Sequence, residues 1–247
     1  MLSRVALILS LPLTAVSAAA QQSTQRPLPS ADFDAYVASA LRTFDAPGAA
    51  IAIVKDGKVV FAKGYGVKKL GSPAPIDTHT LFQIASNTKA FTTASLAMLV
   101  DEGKLKWDDP VTKYLPWFQL SDPYVTRELT VRDLITHRSG LGLGAGDLLW
   151  LHSNYSRDEV LHRIRYARVA SSFRSRYAYD NVLYAAAGEV VAAASGKPWD
   201  VFVRERILQP LGMTGTLTGV AELSPSADMA SPYSMIDGRE QLISLDS

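Results

Sequence analysis

Cysteine is absent from this 247-residue sequence, and its absence excludes several kinds of chemistry at once. There can be no disulfide, no thiol nucleophile, no cysteine metal ligand and no lipid-modified cysteine. The histidines His79, His137, His152 and His162 lack the spacing of a metal site, and the His-Glu-x-x-His pattern of zinc hydrolases is missing. We therefore expect a protein without a metal or other cofactor.

Clustered charge of one sign is also missing. The chain has 25 basic and 24 acidic side chains, a formal net charge of +1, and no block of five like charges. Surfaces that bind polyanions need concentrated positive charge, so we expect no nucleic-acid partner. The composition is compatible with a small-molecule or peptide substrate, and it leaves the oligomeric state open.

The N-terminus lacks a hydrophobic run long enough to span a bilayer. Arg4 precedes an apolar run from Val5 to Val16, and Ala18-Ala19-Ala20 follows before Gln21. This order is typical of a secretory signal peptide. A membrane anchor is the alternative, but the run is well short of the ~20 residues that cross a membrane. We expect a signal peptide over residues 1–20, no stable membrane anchor after its cleavage, and a periplasmic or secreted protein.

The rest of the chain is predicted to be a short linker and one domain. Residues 21–30 are polar and contain two prolines, which favours a linker. Residues 31–247 are numerous and apolar enough to bury one substantial core, since 47% of the chain is hydrophobic.

Strand signals are few and begin with one hairpin. Two apolar runs, Ala49–Val54 and Val59–Ala62, flank Asp56-Gly57, and Asp-Gly is the favoured centre of a two-residue turn. A second Asp-Gly, at Asp237-Gly238, predicts a short hairpin near the end of the chain. Because the first hairpin is apolar on both faces, it needs covering helices and further strands.

Helical spacing dominates the remainder. It predicts helices over Asp32–Asp45, Ala90–Asp101, Val131–Thr136, Arg157–Tyr166, Val182–Ala194 and Trp199–Leu208. Proline and aspartate between them, as in Ser121-Asp122-Pro123, indicate turns. We expect an α/β fold in which a small antiparallel sheet lies beside a mostly helical region, with the functional site between them.

Ser86 and Lys89 stand three residues apart at the start of a predicted helix. Residues at this spacing share a helix face, with Cβ atoms about 5 to 6 Å apart, so the amine can reach the hydroxyl. Helix capping by Ser86 or Asn87 is the alternative, but a capping box has Glu or Gln where Lys89 stands. The positive helix end and burial both disfavour an ammonium group, which suits a lysine that acts as a base.

Tyr179-Asp180-Asn181 forms a second polar cluster, just before the helix predicted from Val182. From a helix-entry loop the phenol and the amide can face one pocket. Capping of the helix by Asp180 or Asn181 is again the alternative. Together the two clusters favour a serine-hydrolase site over two separate caps.

With a third segment, these motifs resemble the beta-lactamase-related serine hydrolases. That family includes class C beta-lactamases, D-Ala-D-Ala carboxypeptidases, D-aminopeptidases and related penicillin-binding-protein-like esterases. Phe82–Leu105 resembles the family's nucleophile helix, Leu134-Ile135-Thr136-His137-Arg138-Ser139-Gly140-Leu141 resembles a characteristic segment, and Tyr179-Asp180-Asn181 matches the Tyr-x-Asn element. The resemblance extends from about Phe33 to the end of the chain.

The resemblance implies a beta-lactamase/transpeptidase-like fold and a serine acyl-enzyme. Ser86 would attack a carbonyl, Lys89 and Tyr179 would share the proton transfers, and Asn181 would hold the acyl side chain or orient Lys89. Lys89 would lower the pKa of Tyr179 enough for the phenol to act as a base. His137 would be structural, because a Ser-His-Asp site on an α/β hydrolase needs a Gly-x-Ser-x-Gly motif, which is missing.

The sequence departs from the family near its C-terminus. Family members usually continue further, into strands that carry a third motif, Lys or His followed by any residue and Gly, and a second oxyanion donor. We find no candidate for this motif and expect a truncated domain that lacks those strands. The expected reaction is cleavage of a beta-lactam, a D-amino-acid peptide or an ester. The alternative is a catalytically silent module that binds cell-wall peptide or a protein partner.

Overall fold

A computed structural model describes residues 29–151, 153–224 and 227–243. The predicted signal peptide and most of the predicted linker therefore lie outside the described residues, as does His152. No helix in the described ranges is long and apolar enough to cross a membrane.

With one addition, the helices follow the predicted order along the chain. They are α1 (Phe33–Thr43), α2 (Thr88–Asp101), α3 (Pro123–Glu128), α4 (Val131–Thr136), α5 (Arg157–Arg163), α6 (Val182–Ser195) and α7 (Trp199–Val203). Two predicted helices end differently from the expectation, because α5 continues as a 3-10 turn over Ile164–Tyr166 and α7 as a π-helical turn over Arg204–Leu208.

Helix α3 corrects one prediction. The sequence indicated only a turn at Ser121-Asp122-Pro123, but a helix begins there. The Asp122 carboxylate accepts hydrogen bonds from the backbone N–H groups of Tyr124 and Val125, at 2.8 and 3.3 Å. Pro123 occupies the first helical position, where a missing N–H costs nothing. Asp122 and Pro123 therefore start a helix where the sequence predicted only a turn.

The first predicted hairpin is present, with antiparallel strands β1 (Gly48–Lys55) and β2 (Lys58–Gly66). Asp56 and Gly57 both have positive φ, 52° and 72°, as the predicted two-residue turn requires. Helix α1 packs on this hairpin through an edge-to-face contact between Phe33 and Phe61, whose ring centroids are 5.4 Å apart. The hairpin is thus tied to the helix that precedes it.

The second predicted hairpin is also present, with strands β3 (Tyr233–Ile236) and β4 (Arg239–Leu242). It does not pair with β1 or β2, so the predicted small sheet is two separate two-stranded sheets. The chain before β3 joins the molecule at Leu81, whose N–H donates to Asp228 O at 2.7 Å and whose carbonyl accepts from Ala230 N at 2.9 Å. This contact lies five residues before Ser86 in sequence.

The hydrophobic core lies among the helices, chiefly where α2 packs on α6 and α6 on α4. Leu96 and Leu99 of α2, Leu134 of α4, and Leu183 and Val190 of α6 are fully buried. The two positions lie three residues apart in α2 and seven apart in α6, the spacing of one helix face. Packing of α2 against α6 brings together the N-terminal ends of both helices, where the two predicted motifs stand.

Candidate active site

Ser86 lies in a 3-10 turn, Ala85–Asn87, that leads into α2. Ala85 has φ 42°, a left-handed conformation that is strained for a residue with a side chain. Asn87 holds the turn by donating from Nδ2 to the Ile84 carbonyl at 2.9 Å, and it makes no side-chain cap of α2. The turn leaves the Ser86 side chain exposed and in contact with residues from other segments.

Lys89 is the second residue of α2, and its ammonium group contacts two acceptors. Nζ donates to Ser86 Oγ at 3.0 Å and to Asn181 Oδ1 at 2.7 Å. It also lies 4.7 Å from the ring centroid of Tyr179 and 5.3 Å from that of Tyr184. Acceptor oxygens and aromatic faces stabilise a cation, and among these contacts there is no carboxylate.

Tyr179 completes the contact with the serine, because its hydroxyl lies 2.5 Å from Ser86 Oγ. The pKa of Tyr179 is lowered from its ordinary value, first by the interaction with Lys89 and then by that with Ser86. A nearby cation favours the phenolate. Ser86 Oγ thus stands between an amine and a phenol whose pKa is depressed, either of which can exchange a proton with it.

Asn181 is oriented by a residue that the sequence reasoning missed, Asp147. Asn181 Nδ2 donates to both carboxylate oxygens of Asp147, at 3.2 and 3.1 Å, while Oδ1 accepts from Lys89. An amide has its donor and its acceptor on opposite sides, so Asp147 decides which side faces Lys89. The sequence feature that could have indicated Asp147 is its place in a glycine-rich loop, directly after the characteristic segment that ends at Leu141.

The loop that carries Asp147 depends on glycine. Gly144 and Gly146 have φ 66° and 84°, and a Cβ on Gly146 would lie 2.8 Å from the Val182 side chain. Gly144 N–H also donates to the Tyr179 carbonyl at 2.8 Å. The loop is therefore docked directly on the segment of Tyr179 and Asn181.

His137 supports the site from behind without contacting Ser86. It ends α4 with φ 56°, and its Nδ1 accepts from the Asp180 backbone N–H at 3.0 Å. Its ring stacks on that of Tyr179, with centroids 4.6 Å apart. Burial first, and the charge of Lys89 second, lower the pKa of His137, so a neutral imidazole packs against the phenol.

Asp180 lies between Tyr179 and Asn181 and is fully buried. Its Oδ1 accepts from the backbone N–H groups of Val182 and Leu183, at 3.0 and 3.4 Å. The capping interpretation of this cluster is thus correct for Asp180, while Asn181 faces the pocket. Asp180 Oδ2 has no hydrogen-bond partner among the described residues, and burial raises the pKa of the carboxyl to about 7.

A cavity of about 610 Å³ opens beside Ser86. The elements that line it are the Ala85–Asn87 turn, α2, the segment around Trp150 and Tyr155, α5 and the start of α6.

Within the described ranges, no group of three or more His, Asp or Glu residues is placed to hold a metal ion. His162, for example, stacks on Trp117 with ring centroids 4.4 Å apart.

The structure therefore brings all four sequence-derived candidates, Ser86, Lys89, Tyr179 and Asn181, into one hydrogen-bonded group. An amine and a phenol on one serine hydroxyl provide what an acyl-transfer nucleophile requires, a nearby group to take its proton.

Comparison with known proteins identifies one family. The Beta-lactamase family model matches residues 33–243. An unguisins hydrolase from Aspergillus campestris is 33% identical over 213 residues, which cover 82% of this chain and 39% of that protein. The chain spans between 34% and 39% of the length of the fungal and staphylococcal curated relatives that it matches.

Two solved structures are similar in sequence as well as in fold. The octameric penicillin-binding protein homologue from Pyrococcus abyssi is 28% identical with a TM-score of 0.75, covering 87% of this chain and 50% of that one. The D-amino acid amidase from Ochrobactrum anthropi SV3, complexed with D-phenylalanine, is 28% identical with a TM-score of 0.68, covering 83% and 58%.

Proposed function

The chain belongs to the beta-lactamase family of hydrolases, and on that premise we propose that it cleaves an ester or amide through an acyl-enzyme on Ser86. One observation carries the proposal: Ser86 Oγ lies 3.0 Å from Lys89 Nζ and 2.5 Å from Tyr179 OH. The Tyr179 oxygen is within the reach required of a general base, and the Lys89 ammonium lies within hydrogen-bonding distance of the same serine oxygen.

The proposed acylation uses both partners of Ser86. Oγ attacks the carbonyl carbon of the substrate as its proton passes to the Tyr179 oxygen. When the tetrahedral intermediate collapses, the bond to the leaving group breaks and that group takes the proton, leaving an acyl ester on Ser86. The positive charge of Lys89 favours the phenolate at the start and stabilises the negative charge that develops on the reacting oxygens.

Deacylation would reverse the proton path. Water replaces the leaving group, gives its proton to Tyr179 as it attacks the acyl carbon, and Ser86 recovers a proton when the ester bond breaks. Asn181 keeps the Lys89 ammonium beside Ser86 through its Oδ1. Holding reacting groups in place in this manner accounts for much of enzymatic rate enhancement.

The proposed substrates are small molecules or peptides with an ester, a beta-lactam or a D-amino-acid amide bond. Two relatives support this proposal by their names: an unguisins hydrolase supports hydrolysis, and a D-amino acid amidase supports an amide substrate. We also propose that the protein is exported, with residues 1–20 as its signal peptide. Mass spectrometry of protein recovered from the periplasm or medium should give a chain that begins at Gln21.

An active-site label tests the acyl-enzyme. A fluorophosphonate should form a covalent bond to Ser86 Oγ with loss of fluoride, and peptide mapping should find the adduct on a peptide containing Ser86. Ser86→Ala should abolish both labelling and turnover of nitrophenyl butyrate, whereas Ser39→Ala on α1 should retain both. Labelling at Ser139, or turnover that persists in Ser86→Ala, would contradict the proposal.

A further inference from the structure

The cavity beside Ser86 is large enough to receive a substantial part of a substrate. Its volume of about 610 Å³ lies within the roughly 300 to 1,000 Å³ typical of small-molecule sites. Ser86, Lys89 and Asn181 all line it, so a group bound there would be adjacent to the bond that is cleaved.

The body of the cavity is aromatic and aliphatic. Trp150 and Tyr155 line it together with the buried Val160 and Val182. The guanidinium of Arg163 lies 4.0 Å from the ring centroid of Tyr155, a cation–π contact that restrains the ring. Trp150 and Tyr155 remain 47% and 42% exposed, so an apolar ligand would remove considerable aromatic surface from water.

Several polar groups of the wall are already engaged within the protein. The Thr92 hydroxyl accepts from the Trp199 indole N–H at 3.1 Å. The Tyr184 hydroxyl donates to the Ile135 carbonyl at 3.1 Å. These walls therefore offer a ligand mainly carbon surface, away from the polar group around Ser86.

The charged side chains that line the cavity are all positive. Lys89 and Arg157 are its charged members, and the described lining residues include no aspartate or glutamate. Among the described residues, Arg157 forms one long ion pair, from Nη1 to Glu189 Oε1 at 3.4 Å, and its side chain is 66% exposed. Its guanidinium has five donors, so most of them remain open to a ligand. The carboxylate of Asp147 is engaged by the Asn181 amide. A ligand ammonium would thus meet two cations, and a ligand carboxylate would meet donors.

We propose that this cavity binds the acyl portion of the substrate and selects an aromatic acyl group that is anionic or uncharged over one that carries an ammonium. Trp150 and Tyr155 supply the contact with the aromatic body, and Arg157 supplies the preference for negative charge. The inference rests on the proposed acyl transfer at Ser86 and specifies its substrate class.

Three matched nitrophenyl esters test the preference for charge. They are 3-phenylpropanoate, its 4-carboxy derivative and its 4-aminomethyl derivative, which differ only at the para position. Rates are corrected with Ser86→Ala, and kcat/KM is compared with that for nitrophenyl butyrate. The carboxy ester should exceed the aminomethyl ester by about tenfold, because one ester gains an attraction and the other a repulsion, each worth only a few-fold at a solvent-exposed charge.

Two variants, each with a matched control, test whether Arg157 causes the charge preference and Tyr155 the preference for an aromatic group. Arg157→Gln should reduce the carboxy-to-aminomethyl ratio to about threefold or less, since one of the two cations remains, whereas Arg127→Gln on α3 should keep the full ratio. Tyr155→Ala should lower kcat/KM for 3-phenylpropanoate about tenfold more than for butyrate, and Tyr166→Ala, outside the cavity, should not.

The outcomes separate this inference from the proposed function. Ser86-dependent turnover at equal rates for the three esters overturns the charge preference and leaves the acyl-enzyme intact. A carboxy-to-aminomethyl ratio that is unchanged in Arg157→Gln overturns the role of Arg157 in that preference and likewise leaves the acyl-enzyme intact. Absence of any Ser86-dependent turnover or labelling overturns both. A preference for the aminomethyl ester would likewise overturn the charge preference.

Discussion

At the scale of single residues, the orientation of one amide determines what Lys89 contacts. Asn181 could rotate by half a turn and present its NH₂ to the ammonium, which would replace an attraction by a repulsion between donors. The Asp147 carboxylate prevents this by accepting both hydrogen bonds from Nδ2. Asp147 acts through Asn181 and is a positioning residue for the proposed reaction.

Replacing Asp147 should therefore affect rate more than stability. We expect Asp147→Ala to lower kcat about tenfold, the size of one hydrogen bond lost from the site, with little change in KM. Asp147→Asn retains an acceptor oxygen and should recover most of the loss. Steady-state kinetics with nitrophenyl butyrate measure both variants, and thermal unfolding is the check. A fall in melting temperature that parallels the fall in kcat for both variants would indicate a purely structural role.

Asp180 makes stability depend on pH in an unusual direction. Its pKa in the folded protein is raised to about 7 by burial, above the value of about 3.9 for an unfolded chain. The carboxyl group therefore binds a proton more tightly when folded, so this contribution to stability is complete below about pH 4 and is lost as pH rises to about 7.

Asp180→Asn removes this titration and retains a side-chain oxygen to cap α6. We expect the variant to gain melting temperature relative to the wild type at pH 8, with a smaller gain at pH 5. Differential scanning calorimetry at the two values measures the difference, and Asp158→Asn, which is exposed on α5, is the control. An equal effect at both values would mean that Asp180 does not titrate in this range.

At the scale of elements, the loop between α4 and α5 determines where Asp147 lies. The loop can approach α6 closely because Gly146 has no side chain, and a Cβ there would lie 2.8 Å from Val182 and 2.9 Å from Ile164. Its φ of 84° is also disfavoured for other residues. Close approach and backbone conformation thus require glycine for separate reasons.

Gly146→Ala should disturb both the fold and the site. We expect a loss of about 1 to 3 kcal/mol in unfolding free energy, since a strained backbone and an overpacked contact combine, together with a lower kcat as Asp147 moves. Gly215→Ala, where a Cβ meets nothing within 4 Å, should change neither. Chemical denaturation and ester turnover measure the pair. Wild-type stability in Gly146→Ala would show that the loop can move away without cost.

At the scale of the whole molecule, the helical core and the first hairpin differ in how well they are covered. The core side chains of α2 and α6 are fully buried, whereas Val54 and Val59 near the hairpin turn are 64% and 65% exposed. Among the described residues, β1 and β2 pair only with each other. Exposed apolar strands with open edges favour association between chains.

We therefore expect the isolated chain to associate at micromolar concentration through this hairpin. Val59→Lys adds a charge near the exposed turn and should shift the protein toward the monomer in light scattering. Val220→Lys changes a partly exposed valine elsewhere and should have little effect. Association that is the same in both variants would place the contact on another surface.

Much of the fold could be predicted from local sequence, because turns and helix periodicity depend on neighbouring residues. Asp56-Gly57 predicted the first hairpin, and the spacing in Val182–Ala194 predicted α6. Ser86 and Lys89 could be paired for the same reason, since three residues along a helix bring two side chains to one face. The helix at Pro123 was missed because Asp-Pro begins helices as well as turns.

The remaining geometry was decided by tertiary packing. Tyr179 lies 93 residues from Ser86, and Asn181 lies 92 residues from Lys89. Only the packing of α2 on α6 makes them neighbours, and no local period encodes it. Asp147 shows the limit most clearly, because its partner is 34 residues away and nothing in a glycine-rich loop indicates which amide its carboxylate will meet. Sequence determined which groups could react, while packing between distant segments determined which of them meet.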